Sequence, residues 1–198
     1  MKPIVVIKRL VFLAALIPAA WLAVRAYRMD LTANPVDYIT DFTGDWSIAL
    51  LVISLGVTPL RRVTRWNEVN KLRRMLGLFA FFYATLHLLT WVVLDKFFDV
   101  AWMVQDVYER KFITVGMATW LILFVLAVTS NTRSIRALGR KWQSLHRLVY
   151  VAAIGAVVHF WWLVKADITL PRRWAVAVAV FFAIRVWWTF RKRISLAS

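Results

Sequence analysis

Two long runs of the sequence carry no formal charge, and they constrain the fold more than any other feature. Residues 75–94 and residues 112–132 contain no Asp, Glu, Lys or Arg. An α-helix rises ~1.5 Å per residue, so about 20 apolar residues cross a hydrocarbon core of about 30 Å. The 198-residue chain is 62% hydrophobic, whereas a soluble domain is about 45–50% apolar. The composition therefore excludes a soluble enzyme and a disordered chain.

The apolar runs predict an all-α polytopic membrane bundle of six transmembrane helices, forming a single domain over residues 1–198. The predicted spans are 10–27, 46–60, 75–94, 112–130, 145–164 and 174–190. Pro18 is expected to kink the first span, which membrane helices tolerate, and Thr58-Pro59 is expected to close the second. No carboxylate is expected within a span, and no internal repeat is evident.

The net charge of +16 is distributed unevenly along the chain. Seventeen of the 26 basic residues lie near the two termini and in the loops 61–74 and 131–147, and nine of the ten acidic residues lie in the other loops. By the positive-inside rule, this bias predicts a multi-pass membrane protein with both termini and the two basic loops in the cytoplasm. The basic loops also suit contact with anionic lipid headgroups. Almost no soluble domain remains to bind nucleic acid.

Several kinds of chemistry are excluded by missing residues or motifs. The chain has no cysteine, which excludes disulfides, thiolate metal sites and c-type haem attachment. Its six glycines are isolated, so no glycine-rich nucleotide-binding loop is recognisable. The remaining candidates for chemistry are the three histidines.

His87 and His159 are expected to lie at the same depth in the membrane. They occur in the third and fifth spans, which run in the same direction, and each is a few residues from the outer end of its span. Two neutral imidazoles that face each other across a gap between helices are what six-coordinate haem iron requires. The alternative is that each histidine only forms a hydrogen bond between helices.

His146 lies near the inner end of the fifth span, thirteen residues before His159. On an ideal helix it would be about 20 Å deeper and turned by about 220° from His159. Arg73, fourteen residues before His87, would share the face of His87. Arginine is a poor iron ligand, but it can pair with a haem propionate or a flavin phosphate. Two interpretations remain open for His146: a ligand of an inner haem, or an interfacial residue among basic neighbours.

A set of motifs spread over about residues 34–188 carries a family resemblance. The motifs are Asn34-Pro35, Phe42-Thr43-Gly44, Thr58-Pro59-Leu60, the run 73–78 (RRMLGL), Ala84-Thr85-Leu86-His87, the run 138–150 (LGRKWQSLHRLVY), His159 and Trp162. In these motifs the chain resembles the haem-binding membrane subunits of bacterial periplasmic methionine-sulfoxide reductase systems. That family belongs to the ferric reductase-like transmembrane group.

The resemblance implies one or two b-type haems, with His87 and His159 as ligands and with His146, Arg73 and Arg74 at an inner cofactor site. It also implies FMN as a further cofactor, and electrons from the quinone pool or a cytoplasmic flavin reductase. The acceptor would be a periplasmic molybdopterin-containing subunit that repairs oxidised methionines, in a heterodimer. The wider group has four histidines on these two helices. Arg73 stands where the fourth would be, which counts against a standard second bis-histidine haem.

These implications make the chain an electron-transfer subunit of an oxidoreductase system and not a stand-alone catalyst. One alternative is a ferric or small-molecule transmembrane reductase that acts directly at the outer face. An alternative of a different class is a cofactor-free membrane anchor that only holds a partner subunit.

Overall fold

The computed structural model describes residues 3–197, with side chains described as far as Arg191, and these residues are helical almost throughout. The helices are α1 (Pro3–Tyr27), α2 (Pro35–Thr64), α3 (Asn70–Leu89), α4 (Val100–Glu109), α5 (Lys111–Val128), α6 (Thr132–Leu138), α7 (Arg140–Leu145), α8 (Leu148–Leu163) and α9 (Thr169–Ala197). A 3₁₀ turn (Asn67–Val69) precedes α3, and a π-helical segment (Thr90–Asp95) prolongs it. No strand occurs in residues 3–197.

Six helical segments of the described chain are long and apolar enough to cross a membrane. They are Pro3–Tyr27, Pro35–Thr64, Asn67–Asp95, Lys111–Val128, Arg140–Leu163 and Thr169–Arg191. Each overlaps one of the spans predicted from the sequence, so the prediction of an all-α bundle with six transmembrane helices is confirmed. The fifth segment consists of α7 and α8 separated by a turn at His146 and Arg147, and the short helices α4 and α6 lie in loops.

Helix α2 begins well before the predicted second span. The Asn34 side chain caps it by accepting the Asp37 N–H, and Pro35 lies in the first turn, where no helical partner for its nitrogen is needed. The early start places Asp37, Asp41 and Asp45 on one helix face at intervals of four residues. All three aspartates precede residue 46, where the predicted second span begins, so the expectation that no carboxylate lies within a span stays a prediction.

Helix α2 also continues beyond Thr58 and Pro59, so the prediction that these residues end it is wrong. A proline inside a helix supplies no N–H to the carbonyl four residues earlier, which here belongs to Leu55. Nη2 of Arg185, on α9, donates to that carbonyl over 2.9 Å. Nη1 of the same arginine donates to the Tyr150 hydroxyl. Arg185 thus replaces the donor that proline lacks, which holds the guanidinium inside the bundle.

A tyrosine from α3 performs a similar task for α1 near Pro18. The Tyr83 hydroxyl accepts the Ala19 N–H at 3.0 Å and donates to the Ala15 carbonyl at 2.8 Å. In a regular α-helix these two backbone groups would bond to each other. The hydroxyl is therefore inserted into the hydrogen-bond ladder of α1, and Tyr83 is fully buried there.

Two antiparallel helix pairs, α2–α3 and α5–α8, make the closest contacts in the bundle. Small residues at the contacts, Ala80 on α3 and Ala152 on α8, are fully buried and let the backbones approach. Large apolar side chains on the outside, such as Leu13, Phe124 and Trp187, are exposed. This distribution suits a bundle whose outer surface faces lipid.

Replacing Tyr83 with phenylalanine removes only the hydroxyl that bridges α1 and α3. We expect Tyr83→Phe to lower the free energy of unfolding in detergent by about 1–3 kcal/mol, because backbone groups beside Pro18 lose their partner. Thermal unfolding of the purified protein measures this change. Tyr27→Phe is the matched control, because Tyr27 is 90% exposed. Equal midpoints for the two variants would show that α1 closes its own hydrogen bond and does not need the tyrosine.

Candidate functional site

The structure brings the rings of His87 on α3 and His159 on α8 next to each other. Their ring centroids are 6.0 Å apart and their planes are nearly perpendicular, at 86°. Both side chains are half-buried. Metal–imidazole nitrogen bonds are about 2 Å long, so two imidazoles on opposite sides of one metal ion have centroids about 6 Å apart. The spacing therefore fits a single ion held between the two rings.

Backbone carbonyls fix the protonation of both rings. Nδ1 of His87 lies 2.8 Å from the Thr40 carbonyl oxygen, and Nδ1 of His159 lies 2.7 Å from that of Phe112. A carbonyl can only accept, so each Nδ1 carries the hydrogen and donates it. The lone pair of each neutral ring is then on Nε2, which is the form that binds a metal.

His146 is arranged differently from the other two histidines. It lies in the turn between α7 and α8, its ring stacks on Trp142 at 3.9 Å between centroids, and Nε2 is 3.1 Å from Oγ1 of Thr129. The Thr129 hydroxyl can donate its hydrogen either to the Val125 carbonyl or to Nε2 of His146, so this contact does not fix the tautomer of His146. The prediction of His146 as an inner ligand remains untested.

A cavity of about 430 Å³ lies next to His146, at the end of the bundle that the charge bias predicts to be the inner end. Its polar wall includes Arg73, Arg74, Arg147 and Tyr150, and no acidic residue lines it in the described part of the chain. The three predicted inner residues thus share one cavity, about 20 Å of helix below the facing histidines. A basic, partly apolar cavity of this kind suits a flat ligand with a carbonyl or anionic group.

No cluster of three or more His, Asp or Glu residues in the described residues is placed to hold a metal ion. The facing pair of His87 and His159 supplies two ligands of one kind, and a metal held there needs its remaining ligands from another source. A porphyrin supplies four equatorial nitrogens and leaves two axial positions for imidazoles. The donor set therefore fits haem and does not fit a metal held by protein side chains alone.

A buried ion-pair network lies beyond the two histidines, at the end of the bundle that the charge bias predicts to be the outer end. Asp106, on α4, contacts Nζ of Lys96 at 2.8 Å, Nε of Arg110 at 3.2 Å and the indole N–H of Trp91 at 3.4 Å. Asp95 lies 3.3 Å from the same Nζ. Lys96 and Asp106 are almost fully buried. The network ties the segment after α3 to α4 and to the start of α5.

This network shifts the titration of its members. Burial disfavours the ionised form of Asp106, but hydrogen bonds from Lys96 and Trp91 and the charge of Arg110 outweigh burial, so the pKa of Asp106 lies below its usual value. Burial likewise disfavours the charged form of Lys96, yet its hydrogen bonds to Asp106 and Asp95 raise the pKa of Lys96. Both groups are therefore charged at neutral pH.

The sequence did not reveal Lys96 and Asp106 as partners, nor the carbonyls of Thr40 and Phe112 as contacts of the histidines. Lys96 resembles any loop cation, and only its position directly after an apolar run distinguishes it. Backbone carbonyls carry no residue signature at all. These contacts depend on helix placement, which a sequence does not display.

The family described as ferric reductase like transmembrane component matches residues 43–157 of the chain. The match includes His87 and His146 and ends just before His159. The six-span bundle and this match define a multi-pass membrane protein of the ferric reductase-like class. No solved structure matches the chain.

Curated relatives narrow the class further. A protein of Herminiimonas arsenicoxydans named protein-methionine-sulfoxide reductase heme-binding subunit MsrQ is 47% identical over 190 residues, covering 94% of this chain and 87% of the relative. Proteins of the same name from Ralstonia nicotianae and Rhodospirillum rubrum are 45% and 44% identical, covering 91% and 93% of this chain and 85% and 89% of the relatives. The chain therefore belongs to the MsrQ family.

Replacing Asp106 with asparagine leaves the buried Lys96 with only Asp95 as a partner. We expect Asp106→Asn to cost about 3 kcal/mol of unfolding free energy at pH 7, at the low end of the range for breaking a buried ion pair. Because the pKa of Asp106 is depressed, its stabilising contribution is present above the usual aspartate pKa of about 3.9. That contribution is lost as the pH falls through the native value.

Thermal unfolding between pH 7 and pH 3 measures both effects. Wild type should lose stability towards acid more steeply than Asp106→Asn. Glu109→Gln, which changes an exposed carboxylate on the same helix, is the control. If Asp106→Asn and Glu109→Gln gave the same midpoints throughout this range, the network would not stabilise the outer end.

Proposed function

We propose that the chain is the haem b-binding membrane subunit of a methionine-sulfoxide reductase system and carries electrons outward across the bacterial inner membrane. The observation that carries the proposal is the facing pair of His87 and His159, each with Nδ1–H bonded to a carbonyl. The relatives are named as haem-binding subunits of this kind. The position of the basic residues along the chain and the cavity beside His146 also support the proposal.

His87 and His159 would be the axial ligands of the haem. Bound haem supplies a one-electron carrier in the outer half of the membrane. The chain contributes the orientation of both rings, since each is held by a carbonyl of the neighbouring helix in its pair. A hydrogen bond from Nδ1–H to a carbonyl raises the basicity of an imidazole whose Nε2 binds a metal. The half-buried, largely apolar surroundings limit the access of water to the site.

The inner cavity would receive the electron donor. Arg73, Arg74 and Arg147 give its wall positive charge, and His146 and Tyr150 add ring surfaces and a hydroxyl. These groups suit a quinol headgroup, the phosphate of FMN, or the propionates of a second haem held on His146. The positive-inside bias puts this end in the cytoplasm, where a flavin reductase could also deliver electrons.

The acceptor would be a periplasmic molybdopterin-containing subunit that reduces methionine sulfoxide in oxidised proteins and pairs with this chain as a heterodimer. The larger of the two described cavities, about 430 Å³, lies beside His146, whereas the cavity beside Asp45 and Trp174 is only about 160 Å³. The small size of the cavity near the predicted outer end favours transfer of electrons to a docked protein over a reaction with a substrate bound inside the chain. A transmembrane ferric reductase is the second candidate, favoured by the description of the matching family.

The ligand assignment predicts the spectra of three alanine variants. His87→Ala and His159→Ala should each lose the low-spin spectrum of the outer haem, because either substitution removes one of two axial ligands. His146→Ala should keep that spectrum and lose signal only if an inner haem is present. The measurements are the reduced-minus-oxidised absorbance spectrum and the ratio of haem to purified protein.

Two outcomes would contradict this proposal. Wild-type protein with no Soret band would support a membrane anchor without cofactor. A normal low-spin spectrum in both His87→Ala and His159→Ala would refute these histidines as the ligands.

The acceptor can be identified by reoxidation. Protein reduced with dithionite, with excess reductant removed, is mixed either with the oxidised molybdopterin subunit or with ferric citrate, and the decay of the reduced α band is followed. We expect faster reoxidation by the molybdopterin subunit, because docking holds its cofactor near the outer haem. Faster reoxidation by ferric citrate would instead support the ferric reductase.

A further inference from the structure

We propose that Gly44 and Gly116, with the carbonyls of Thr40 and Phe112, form two equivalent seats that hold the facing imidazoles in crossed planes and thereby set the electronic state of the haem. The inference rests on the proposed function, since it concerns the same two histidines. The glycines act as positioning residues and touch no iron. Three observations support the inference. A histidine ring packs against each glycine, a backbone carbonyl accepts from each Nδ1–H, and the two sets of residues have the same spacing along the chain.

The first observation is that a histidine ring occupies the space beside each glycine where a side chain would otherwise lie. A Cβ built on Gly44 would lie 3.1 Å from Nδ1 of His87, and one built on Gly116 would lie 2.7 Å from Nδ1 of His159. Neither glycine has the positive φ that would itself require glycine. The absence of a side chain at each glycine therefore leaves room for the neighbouring imidazole.

The second observation is that each glycine lies four residues after the carbonyl that its histidine contacts. In an α-helix the side chain four residues on lies over the same face as that carbonyl. A glycine at that position leaves the oxygen open to an outside donor. Thr40 and Gly44 thus form one seat on α2, and Phe112 and Gly116 form the other on α5.

The third observation is that the residues of the two seats have the same spacing along the chain. His87 follows Thr40 by 47 residues, and His159 follows Phe112 by the same 47. A shift of 72 residues maps each member of the first seat onto its counterpart in the second. The same shift maps Ala80 onto Ala152, both fully buried, and Leu51 onto Leu123, both buried. The two helix pairs thus carry the same contacts at positions 72 residues apart.

The contacts together fix the plane of each ring. The Nδ1–H bond pins one edge of the imidazole, and the glycine lets the ring lie against the helix backbone. The two planes cross at 86°. Crossed axial imidazoles leave two of the iron d orbitals nearly equal in energy, whereas parallel rings separate them. Ferric haem between crossed rings therefore gives a strongly anisotropic low-spin electron paramagnetic resonance (EPR) signal.

The chain offers a matched control for the test. Gly56, also on α2, is crowded by a different residue, since a Cβ there would lie 3.0 Å from the ring of Phe181. Gly56→Ala therefore reports the cost of crowding without a histidine.

The experiment uses the full-length, haem-loaded protein in detergent and records the ferric EPR spectrum, the midpoint potential and the haem content. We expect wild type to show the strongly anisotropic signal. Gly44→Ala should shift the signal towards the form typical of parallel rings and change the midpoint potential. Gly116→Ala should cause a larger shift or a partial loss of haem, because its Cβ would be closer to the ring. Gly56→Ala should match wild type.

Different failures have different meanings. If wild type binds no haem, the proposed function fails and the seats fail with it. If wild type binds low-spin haem but shows the signal of parallel rings, only the seats are refuted. They are also refuted if Gly44→Ala keeps the wild-type signal and potential, or if Gly56→Ala shifts them equally. Gly44→Ala, the milder change, keeps the proposal testable if Gly116→Ala fails to assemble.

Discussion

The hydrocarbon core gives no hydrogen bonds to a backbone, so each polar group there needs a partner within the protein. Pro18 and Pro59 challenge this constraint, because each removes a donor from a spanning helix. Tyr83 enters the ladder of α1 near the first proline, and Arg185 binds the carbonyl freed by the second. These repairs attach the peripheral helices α1 and α9 to the central pair α2–α3. The disturbed backbone thus determines where the outer helices pack.

The need of buried polar groups for partners within the protein also determines how the histidine pair is held. A buried imidazole N–H needs an acceptor, and the open carbonyls of Thr40 and Phe112 provide one for each ring. Because Nδ1 carries the hydrogen and donates it to the carbonyl, the lone pair of each ring is on Nε2. The hydrogen bond that burial requires therefore also leaves each imidazole in the tautomer that binds a metal. His146 differs, because its Nε2 contacts the Thr129 hydroxyl, which can donate or accept, so no neighbouring carbonyl fixes its tautomer.

The sequence predicted the six spans because charge-free runs of that length have few other uses, and it placed His87 and His159 at matching depth because alternate spans run in parallel. It misplaced the start of α2 because three aspartates obscured a helix that the Asn34 cap extends. Ideal-helix geometry failed for His146 because the chain turns between α7 and α8. The matching contacts of His87 and His159 were not visible in the sequence, because they involve backbone carbonyls and two isolated glycines.

Each histidine is tied within its own helix pair, since the acceptor for His87 belongs to α2 and the acceptor for His159 belongs to α5. Contacts within each pair far outnumber those between the pairs. The two hairpins can therefore form and orient their rings separately during insertion, before they associate. A group that bridges the rings would then act as a staple between two preformed halves. Its binding energy would contribute to assembly of the bundle as well as to its chemistry.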